Sequence, residues 1–412
     1  MDIVPLVGEA FDRFLAKSKK IHKEAIAAAL ERYDRDIYCR IDRKRFLLVR
    51  LDGRTLLSSL GAITFRRRYY YDAAAGSYVH LLDAEMGLPK HKRMTNELIL
   101  RMMDLASVMT YREVGEHLSD EFAVSKYTVW KTIRESLLEA RFDARIDRGG
   151  RKVHVQVDEK FIGMVGSRSK RRYYTATVFA GREPAGNSHR LLNKTVVSSP
   201  DLGELKARLS RVLADGYGVS PGEEVFVSGD LAGYIQSFGD SLTCCRARYV
   251  PDRFHVYRTL RDCLPGVYAD DLSLNDAGFR AHLVRELSGS GDEGAAKLRR
   301  LLERNPGSLA AWLDPEYLGC SQEGQNSHVY APRFGRCASR FSPSTICKLS
   351  LIREAKAMGA KVVLRHKRRR PPEPVDYWSP SPYEEPAKYA LDTRGMQYET
   401  AKMFNQIKFG GL

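Results

Sequence analysis

The stretch Val153-His154-Val155-Gln156-Val157-Asp158 decides the fold of this 412-residue chain. Its valines alternate with polar residues at the two-residue period of a β-strand, and Asp158 closes the alternating run. A second apolar run, Glu224–Ser228, leads into Gly229-Asp230 in the same way. Two strands that each end in an isolated aspartate predict an α/β domain with a site at one edge of its sheet.

The segments around these two strands predict their order. Tyr173–Ala180 and Lys194–Ser198 provide a second and a third strand, an amphipathic helix follows, and Cys244–Val250 is the fifth strand. Three strands, a helix, a strand, a helix and a strand is the order of ribonuclease-H-like folds, in which the strands ending in Asp158 and Asp230 are central neighbours. Taken singly, each aspartate is more simply a turn or helix-cap residue. Taken together on adjacent strands, they favour a site.

The predicted catalytic domain spans 151–365 and is interrupted by an all-helical insertion at about 257–315, where the sequence is charged and carries no β signal. Arg141–Gly150 is polar and resembles a linker. The remaining 366–412 begin with the run Lys367–Pro372, which predicts a basic tail.

Residues 91–148 predict a helix-turn-helix DNA-binding domain. Its second and third helices are Tyr111–Leu118 and Ser125–Leu138, and Thr95, Thr110 and Ser125 have the residue types of N-caps. One face of the last helix is apolar and comprises Val129, Trp130, Ile133 and Leu137. The outward residues that would contact a DNA groove are Tyr127, Thr128 and Lys131. The alternative is an ordinary helical hairpin with a solvated face.

Residues 1–90 predict a module with one or two amphipathic helices in Val7–Tyr33 and a hairpin that pairs Ile63–Tyr71 with Ser77–Leu82. The hairpin carries three arginines beside three tyrosines, a combination of phosphate charge and aromatic surface. These arginines are Arg66, Arg67 and Arg68. An amphipathic edge strand is the alternative interpretation.

Composition points to a polyanion as partner. The chain has 67 Lys and Arg against 51 Asp and Glu, for a net charge of +16. No window is apolar enough for a membrane span and no signal peptide is evident, so we expect a cytoplasmic protein. The seven cysteines show neither a disulfide framework nor a zinc knuckle. A metal role for Cys244 or Cys245 with His255 is a minor alternative.

Phosphodiester chemistry on DNA commonly uses two divalent cations, and Mg²⁺ prefers carboxylate ligands. A third carboxylate would come from a helix near the two strands. The candidates are Glu303, Glu316, Glu323 and Glu354. Glu323 follows the helical insertion directly and shares a helical face with Asn326 three residues on, whereas the others fit solvent-facing positions in charged helices.

Several segments resemble a family of bacterial insertion-sequence transposases that was long known only as an uncharacterised protein family and is allied to the Mutator-like transposases. The resemblance covers about 50–360. It is carried by Gly76-Ser-Tyr-Val-His-Leu-Leu-Asp83, Gly87-Leu-Pro-Lys90, Tyr127-Thr-Val-Trp-Lys131, Val155-Gln-Val-Asp-Glu159, Ser228-Gly-Asp-Leu-Ala232, Asp252-Arg-Phe-His255 and Glu323-Gly-Gln-Asn-Ser-His328. Ala338–Ser342 departs from the Pro-Met-Gly-Trp-like segment of that family.

The resemblance implies a DDE transposase in which Asp158, Asp230 and Glu323 bind two Mg²⁺ or Mn²⁺ ions per active site. Asp252 and His255 would support them near the DNA phosphates. The implied reaction is cleavage at transposon ends followed by strand transfer into target double-stranded DNA, by a homo-oligomer on DNA. A non-catalytic helix-turn-helix regulator and a structure-specific nuclease on the same fold are the rival hypotheses; an RNA-processing enzyme is weaker.

Overall fold

The computed structural model describes residues 9–88, 90–118, 122–141, 145–186, 188–335 and 339–365. Within these, one compact unit contains 9–56 and 62–93, and a second contains 57–61 and 94–365. The predicted basic tail lies outside the described residues. In the part of the chain that is described, no helix is long and apolar enough to cross a lipid bilayer.

The first unit combines a long helix with a small sheet. Its elements are α1 (Glu9–Arg40), β1 (Phe46–Ser58), β2 (Gly61–Asp72), β3 (Ser77–Val79) and α2 (Leu81–Glu85). The strands are ordered β1-β2-β3, and β2 pairs antiparallel with β3, which confirms the predicted hairpin. Apolar residues from the end of α1, the sheet and α2 form one core, so the unit is held together by burial of these side chains.

The second unit begins with three short helices, α3 (Asn96–Ala106), α4 (Tyr111–His117) and α5 (Lys126–Glu135). The predicted N-caps are confirmed, because the side chains of Thr95, Thr110 and Ser125 each accept a hydrogen bond from a backbone amide of the first turn. The predicted end of α5 was wrong. Extended backbone at Ser136 ends the helix, and Leu137–Arg141 forms strand β4.

A five-stranded sheet follows, with two helices and a small two-stranded ribbon in its connections. The elements are β5 (Val153–Gly163), β6 (Lys170–Phe179), β7 (Arg182–Ala185), β8 (Ser188–Leu191), β9 (Thr195–Ser199), α6 (Leu202–Arg211), β10 (Glu224–Gly229), α7 (Gly233–Gln236) and β11 (Arg246–Pro251). The five predicted strands are thus observed with shifted ends. The prediction that the first of them ends at Asp158 was wrong, because β5 continues to Gly163 in its pairing with β6. The β7–β8 ribbon was not predicted.

The strand order of this sheet is β11-β10-β5-β6-β9. Strand β6 pairs antiparallel with β5 and β9, whereas β10 pairs parallel with β5 and β11. Val153, Val155 and Val157 are completely buried and pack in one core with Leu205 and Leu209 of α6. This face of the sheet is therefore covered, and the polar residues of β5 face the other way.

The segment predicted as a linker is attached to the unit. The backbone amide of Ile146 donates to Gly216 at 3.0 Å, and Arg148 forms a salt bridge with Glu223. These contacts hold residues 145–150 of the predicted linker against the loop before β10. Residues 142–144 lie outside the described chain.

The helical insertion is confirmed over its described length. It consists of α8 (Arg253–Cys263), α9 (Ala277–Ser288), α10 (Glu293–Arg304) and two 3₁₀ segments, Ser273–Asn275 and Pro306–Leu313. These helices share a core with residues of β10 and β11. The end of the insertion contacts the residue that precedes its beginning, because the Trp312 indole N–H donates to the carbonyl of Pro251 at 2.9 Å.

The described chain ends with α11 (Gln322–Val329), α12 (Ala331–Phe334), α13 (Pro343–Met358) and β12 (Lys361–Arg365). Strand β12 pairs antiparallel with β4. Helices α3, α4 and α5 share a hydrophobic core with α13 and with the far end of β5. The Lys348 ammonium of α13 also donates to the carbonyl of Ile133 at 3.0 Å. The helices predicted as a separate DNA-binding domain therefore belong to the same compact unit as the sheet.

Candidate active site

Three aspartates follow the register of three neighbouring parallel strands. Ser228 of β10 lies opposite Gln156 of β5, and two residues further along each strand come Asp230 and Asp158. Asp252 follows the end of strand β11 beside them, and its backbone amide donates to the carbonyl of Gly229, the last residue of β10, at 2.8 Å. The predicted pair of carboxylates thus lies at one edge of the sheet, with a third aspartate beside it.

The Asp158 carboxylate is held by two donors. One oxygen accepts the backbone N–H of Glu159 at 2.7 Å, and the other accepts the Asn326 side-chain amide of α11 at 2.5 Å. The amide oxygen of Asn326 in turn accepts the hydroxyl of Thr175 on β6 at 2.9 Å, and Asn326 is 7% exposed. This chain of hydrogen bonds fixes the rotamer of Asp158 and attaches α11 to the sheet.

The pKa of Asp158 is raised to about 6. Burial is the largest cause, and the negative charge of Asp230 adds to it, whereas the Glu159 N–H, the Asn326 amide and the charge of His255 act in the opposite direction. A buried carboxylate beside a second negative charge forms a place where a cation is favourable. The donor set of carboxylate oxygens fits a hard divalent ion such as Mg²⁺.

Asp230 and Asp252 are also positioned by their local backbone. An oxygen of Asp230 accepts the amide of Ala232 at 2.8 Å, and the Asp230 carbonyl accepts the Tyr249 hydroxyl at 2.9 Å. Asp252 caps the start of α8, and its other oxygen lies 3.8 Å from Nε2 of His255. Both supporting residues, Asp252 and His255, are therefore next to the two catalytic candidates.

Glu323 lies in the first turn of α11, three residues before Asn326. Its backbone is thus carried by the helix that contacts Asp158, but its side chain lies outside the described structure. The start of this helix is held by Gln156, whose amide donates to the carbonyl of Gly319 at 3.0 Å and accepts the amide of Ser321 at 3.2 Å. The structure therefore attaches the segment before Glu323 to the strand that carries Asp158.

The other glutamates considered as a third ligand have different partners. Glu316 pairs with Lys152 at 3.3 Å and Glu303 with Arg299 at 3.8 Å, both largely in solvent as expected. Glu354 was wrongly expected to face solvent. It is 1% exposed and pairs with Arg208 at 3.2 Å, because α13 packs across the sheet at β9.

No three side chains of Asp, Glu, His or Cys converge into a closed metal cage among the side chains that the structure describes, a set that omits Glu323. The alternative ligand set of Cys244 or Cys245 with His255 is ruled out. The cysteines precede β11 and the histidine follows it. The six residues of that strand separate them by roughly 20 Å.

The predicted recognition residues lie near the start of α5. Tyr127 is 63% exposed and contacts Trp130 in a tilted arrangement with 5.4 Å between ring centroids, and Lys131 is exposed. Thr128 is half-buried because its backbone amide and hydroxyl both bond the Ser125 cap. Of the apolar face, Val129 and Ile133 are buried, Trp130 is half-buried, and Leu137 is 40% exposed because it lies in β4.

The three arginines of β2 have different environments. Arg67 is 8% exposed and pairs with Asp83 at 2.9 Å, and Arg68 pairs with Asp34 at 2.6 Å. Arg66 is exposed. Internal ion pairs therefore account for Arg67 and Arg68, and Arg66 is the member of this set that faces solvent.

Sequence reasoning missed three residues of the site. They are Gln156, Thr175 and Tyr249. Gln156 carried a signal, because a glutamine within a run of buried valines has to find a hydrogen-bond partner. Thr175 and Tyr249 are residues typical of strands, and their roles depend on contacts that only the tertiary structure brings together.

Comparison with known proteins places the chain in a family. A model of the uncharacterised protein family UPF0236 matches residues 6–342. Among similar proteins are UPF0236 proteins of Caldanaerobacter subterraneus subsp. tengcongensis. One is 24% identical over 368 residues, covering 82% of this chain and 74% of the relative. Another is 25% identical over 360 residues, with the same two shares. Since the family model spans most of its length, the chain belongs to UPF0236.

Proposed function

We propose that this protein is a DDE transposase, which cuts DNA at the ends of an insertion sequence and joins the freed 3′ end to target DNA. Asp158, Asp230 and Glu323 would hold two Mg²⁺ or Mn²⁺ ions. The observation that carries the proposal is the position of Asp158 and Asp230 on adjacent parallel strands, just past the point where the pairing of β5 with β10 stops, beside the helix that contains Glu323.

The sheet supports the proposal. Three antiparallel strands in sequence, β5, β6 and β9, are extended on the β5 side by the parallel strands β10 and β11. We infer a ribonuclease-H-like core from this order, because the fold has the same succession of strands and carries its carboxylates on the same two neighbouring strands. Fold alone does not define an activity, and the carboxylates are therefore needed to support the chemistry.

The residues of the chain would have the following roles. When bound, the metal pair activates the attacking oxygen and stabilises the leaving oxygen. Asn326 and the Glu159 amide hold Asp158 in one rotamer, and Tyr249 fixes the backbone of Asp230. His255, beside Asp252, would lie next to a DNA phosphate and donate a hydrogen bond to it. Helix α5 would contact the DNA groove through Tyr127, Thr128 and Lys131, with Arg66 as a further phosphate contact.

The names of two relatives give independent support. One UPF0236 protein carries eleven designations in its name, and another carries four. We interpret these as several genes for one protein in a single genome, which is what an element that copies itself leaves behind. A homo-oligomer on double-stranded DNA in the bacterial cytoplasm follows from the proposal, since two ends have to be cut together.

The test is strand cleavage and joining by the purified protein. The substrate is a duplex that contains the DNA flanking the gene with its inverted repeats, in Mg²⁺. We expect nicked and joined products from wild type and a loss of about a thousandfold or more in Asp158→Asn and Asp230→Asn. Asp262→Asn, an exposed aspartate of α8, is the matched control and keeps the activity.

The outcomes separate the rival functions. Cleavage without joining identifies a nuclease on the same fold. DNA binding without either reaction identifies a helix-turn-helix regulator, and equal activity in Asp230→Asn and wild type removes the proposed active site.

A further inference from the structure

The hairpin formed by β5 and β6 continues beyond the central sheet. Strand β10 pairs with β5 only as far as Gln156, and β9 pairs with β6 only from Tyr174 onwards. Past these points the two strands pair with each other over 159–163 and 170–174. We call residues 159–174 the basic ribbon. Its strand 159–163 extends about 17 Å beyond Asp158, at about 3.3 Å per residue.

One face of the basic ribbon is fixed to the rest of the unit. Ile162, Met164 and Tyr173 are between 0 and 7% exposed and belong to the core that includes α13. The backbone of Phe341 also pairs with the ribbon, donating to the Gly163 carbonyl at 3.0 Å. The ribbon is therefore held in place, and its other face and its tip remain open.

The open part of the ribbon is strongly cationic. Residues 159–174 contain five cations and one carboxylate, Glu159. Four of the cations are exposed and follow each other closely near the tip: Arg168, Lys170, Arg171 and Arg172. The ion pair of Arg172 with Glu159 is 3.5 Å long and leaves the arginine side chain 54% exposed. A local charge of this density favours a polyanion.

Apolar side chains lie among these cations. Phe161 is 52% exposed and pairs across the ribbon with Arg172, so the two side chains are on the same face. Val165, next to the tip, is 63% exposed. Cations that alternate with an exposed aromatic ring are the features by which proteins bind a nucleic-acid backbone and its bases together.

We infer that the basic ribbon binds DNA, with its cations on backbone phosphates and Phe161 against a base or sugar. A two-stranded ribbon has the width that the DNA major groove admits. The inference rests on the proposed function in that DNA is the substrate, and it adds an element that runs directly from a catalytic aspartate.

The experiment measures the affinity of the full chain for a fluorescent duplex of arbitrary sequence, by anisotropy over a series of salt concentrations. The charge variant is Lys170→Gln/Arg171→Gln/Arg172→Gln. Its matched control removes three exposed cations elsewhere, Arg190→Gln/Arg211→Gln/Arg285→Gln. We expect the charge variant to reduce the slope of log affinity against log salt by roughly 2.7, at about 0.9 for each phosphate contact. The control keeps the wild-type slope.

Phe161→Ala tests the aromatic contact separately. We expect it to weaken binding roughly tenfold while the salt slope stays the same, since it removes the burial of an aromatic side chain against a base edge or sugar and no charge. All of the substituted side chains are exposed, so thermal unfolding of the variants is expected to match wild type.

The inference is overturned if the charge variant and its control have the same slope, or if wild type binds no duplex. Loss of binding to anionic phospholipid vesicles with intact DNA binding would identify a membrane contact instead and also overturns it. The binding assay on the ribbon variants and the strand-joining assay of the proposed function can fail independently. If wild type joins strands and the ribbon variants bind DNA normally, only the ribbon inference fails. If the ribbon binds DNA and no Mg²⁺-dependent strand chemistry occurs, only the proposed function fails.

Discussion

Asp158→Asn should make the metal-free protein more stable at neutral pH while it removes the proposed chemistry. The carboxyl of Asp158 has an ordinary pKa of 3.8, which burial and the neighbouring charge of Asp230 raise to about 6 in the folded chain. The folded state therefore holds this proton more tightly than the unfolded state. Ionisation of Asp158 opposes folding, and asparagine, which resembles the neutral acid in shape, avoids that cost.

The sign and size of the expected change in the free energy of unfolding follow from proton linkage. Between about pH 4 and pH 6 the unfolded chain binds fewer protons than the folded chain, so stability falls as pH rises through this window. A shift of about 2 units corresponds to about 3 kcal/mol. The free energy of unfolding of Asp158→Asn, relative to wild type, should thus rise by about 3 kcal/mol from below pH 4 to above pH 7. Comparison of the two pH profiles cancels the constant effect of altered hydrogen bonds to Asn326.

Urea unfolding across this pH range, in the presence of a chelator, provides the measurement. Asp262→Asn, which is exposed, should give the wild-type profile. Added Mg²⁺ should stabilise wild type more at neutral pH than below pH 4, and it should stabilise Asp158→Asn less. Parallel pH profiles for wild type and Asp158→Asn, or equal stabilisation of both by Mg²⁺, would refute the assignment of Asp158 to a coupled carboxylate site.

Three further substitutions test the surroundings of the site. Gly115→Ala would place a Cβ 1.9 Å from the carbonyl oxygen of Val124, so the turn between α4 and α5 has to move. We expect a loss of roughly 1–3 kcal/mol or more in urea unfolding, and an unchanged midpoint would contradict the tight turn. Glu354→Ala leaves Arg208 without its carboxylate and should lower the free energy of unfolding by about 3 kcal/mol, again measured with urea. Glu354→Gln should lower it less, and equal losses in the two variants would argue against the ion pair. Gln156→Leu removes three hydrogen bonds to the segment before α11, so it should cost about 1–3 kcal/mol of stability and slow strand cleavage. Cleavage at the wild-type rate would show that α11 is held by other contacts.

The sequence predicted the central strands well because each has a strong local signal. The alternating valines before Asp158 and the apolar run before Asp230 are buried strands, and both aspartates follow where the pattern ends. The N-caps of the three short helices were predicted for a similar reason, since a hydroxyl side chain before a helical run has a local partner.

The failures concern contacts between distant parts of the chain. The helical pattern through Leu137 was overridden, because Leu137 pairs with Arg365 more than 200 residues later in the sequence. Glu354 has the sequence context of a solvent-facing helix residue, yet Arg208 and Tyr330 provide partners inside the core. Arg67 likewise lies in an exposed-looking basic run and is buried against Asp83. No local pattern encodes these pairings.

The closure of the helical insertion on itself has a consequence for how such proteins can vary. Its first helix starts after β11 and its last turn returns to Pro251 through Trp312, so the chain leaves and re-enters the core at nearly one point. Lengthening or shortening the helices between those two ends need not displace Asp230, Asp252 or the helix that follows. Changes in helix length far from Pro251 and Trp312 would thus leave the anchored ends of the insertion, and the aspartates beside them, in place.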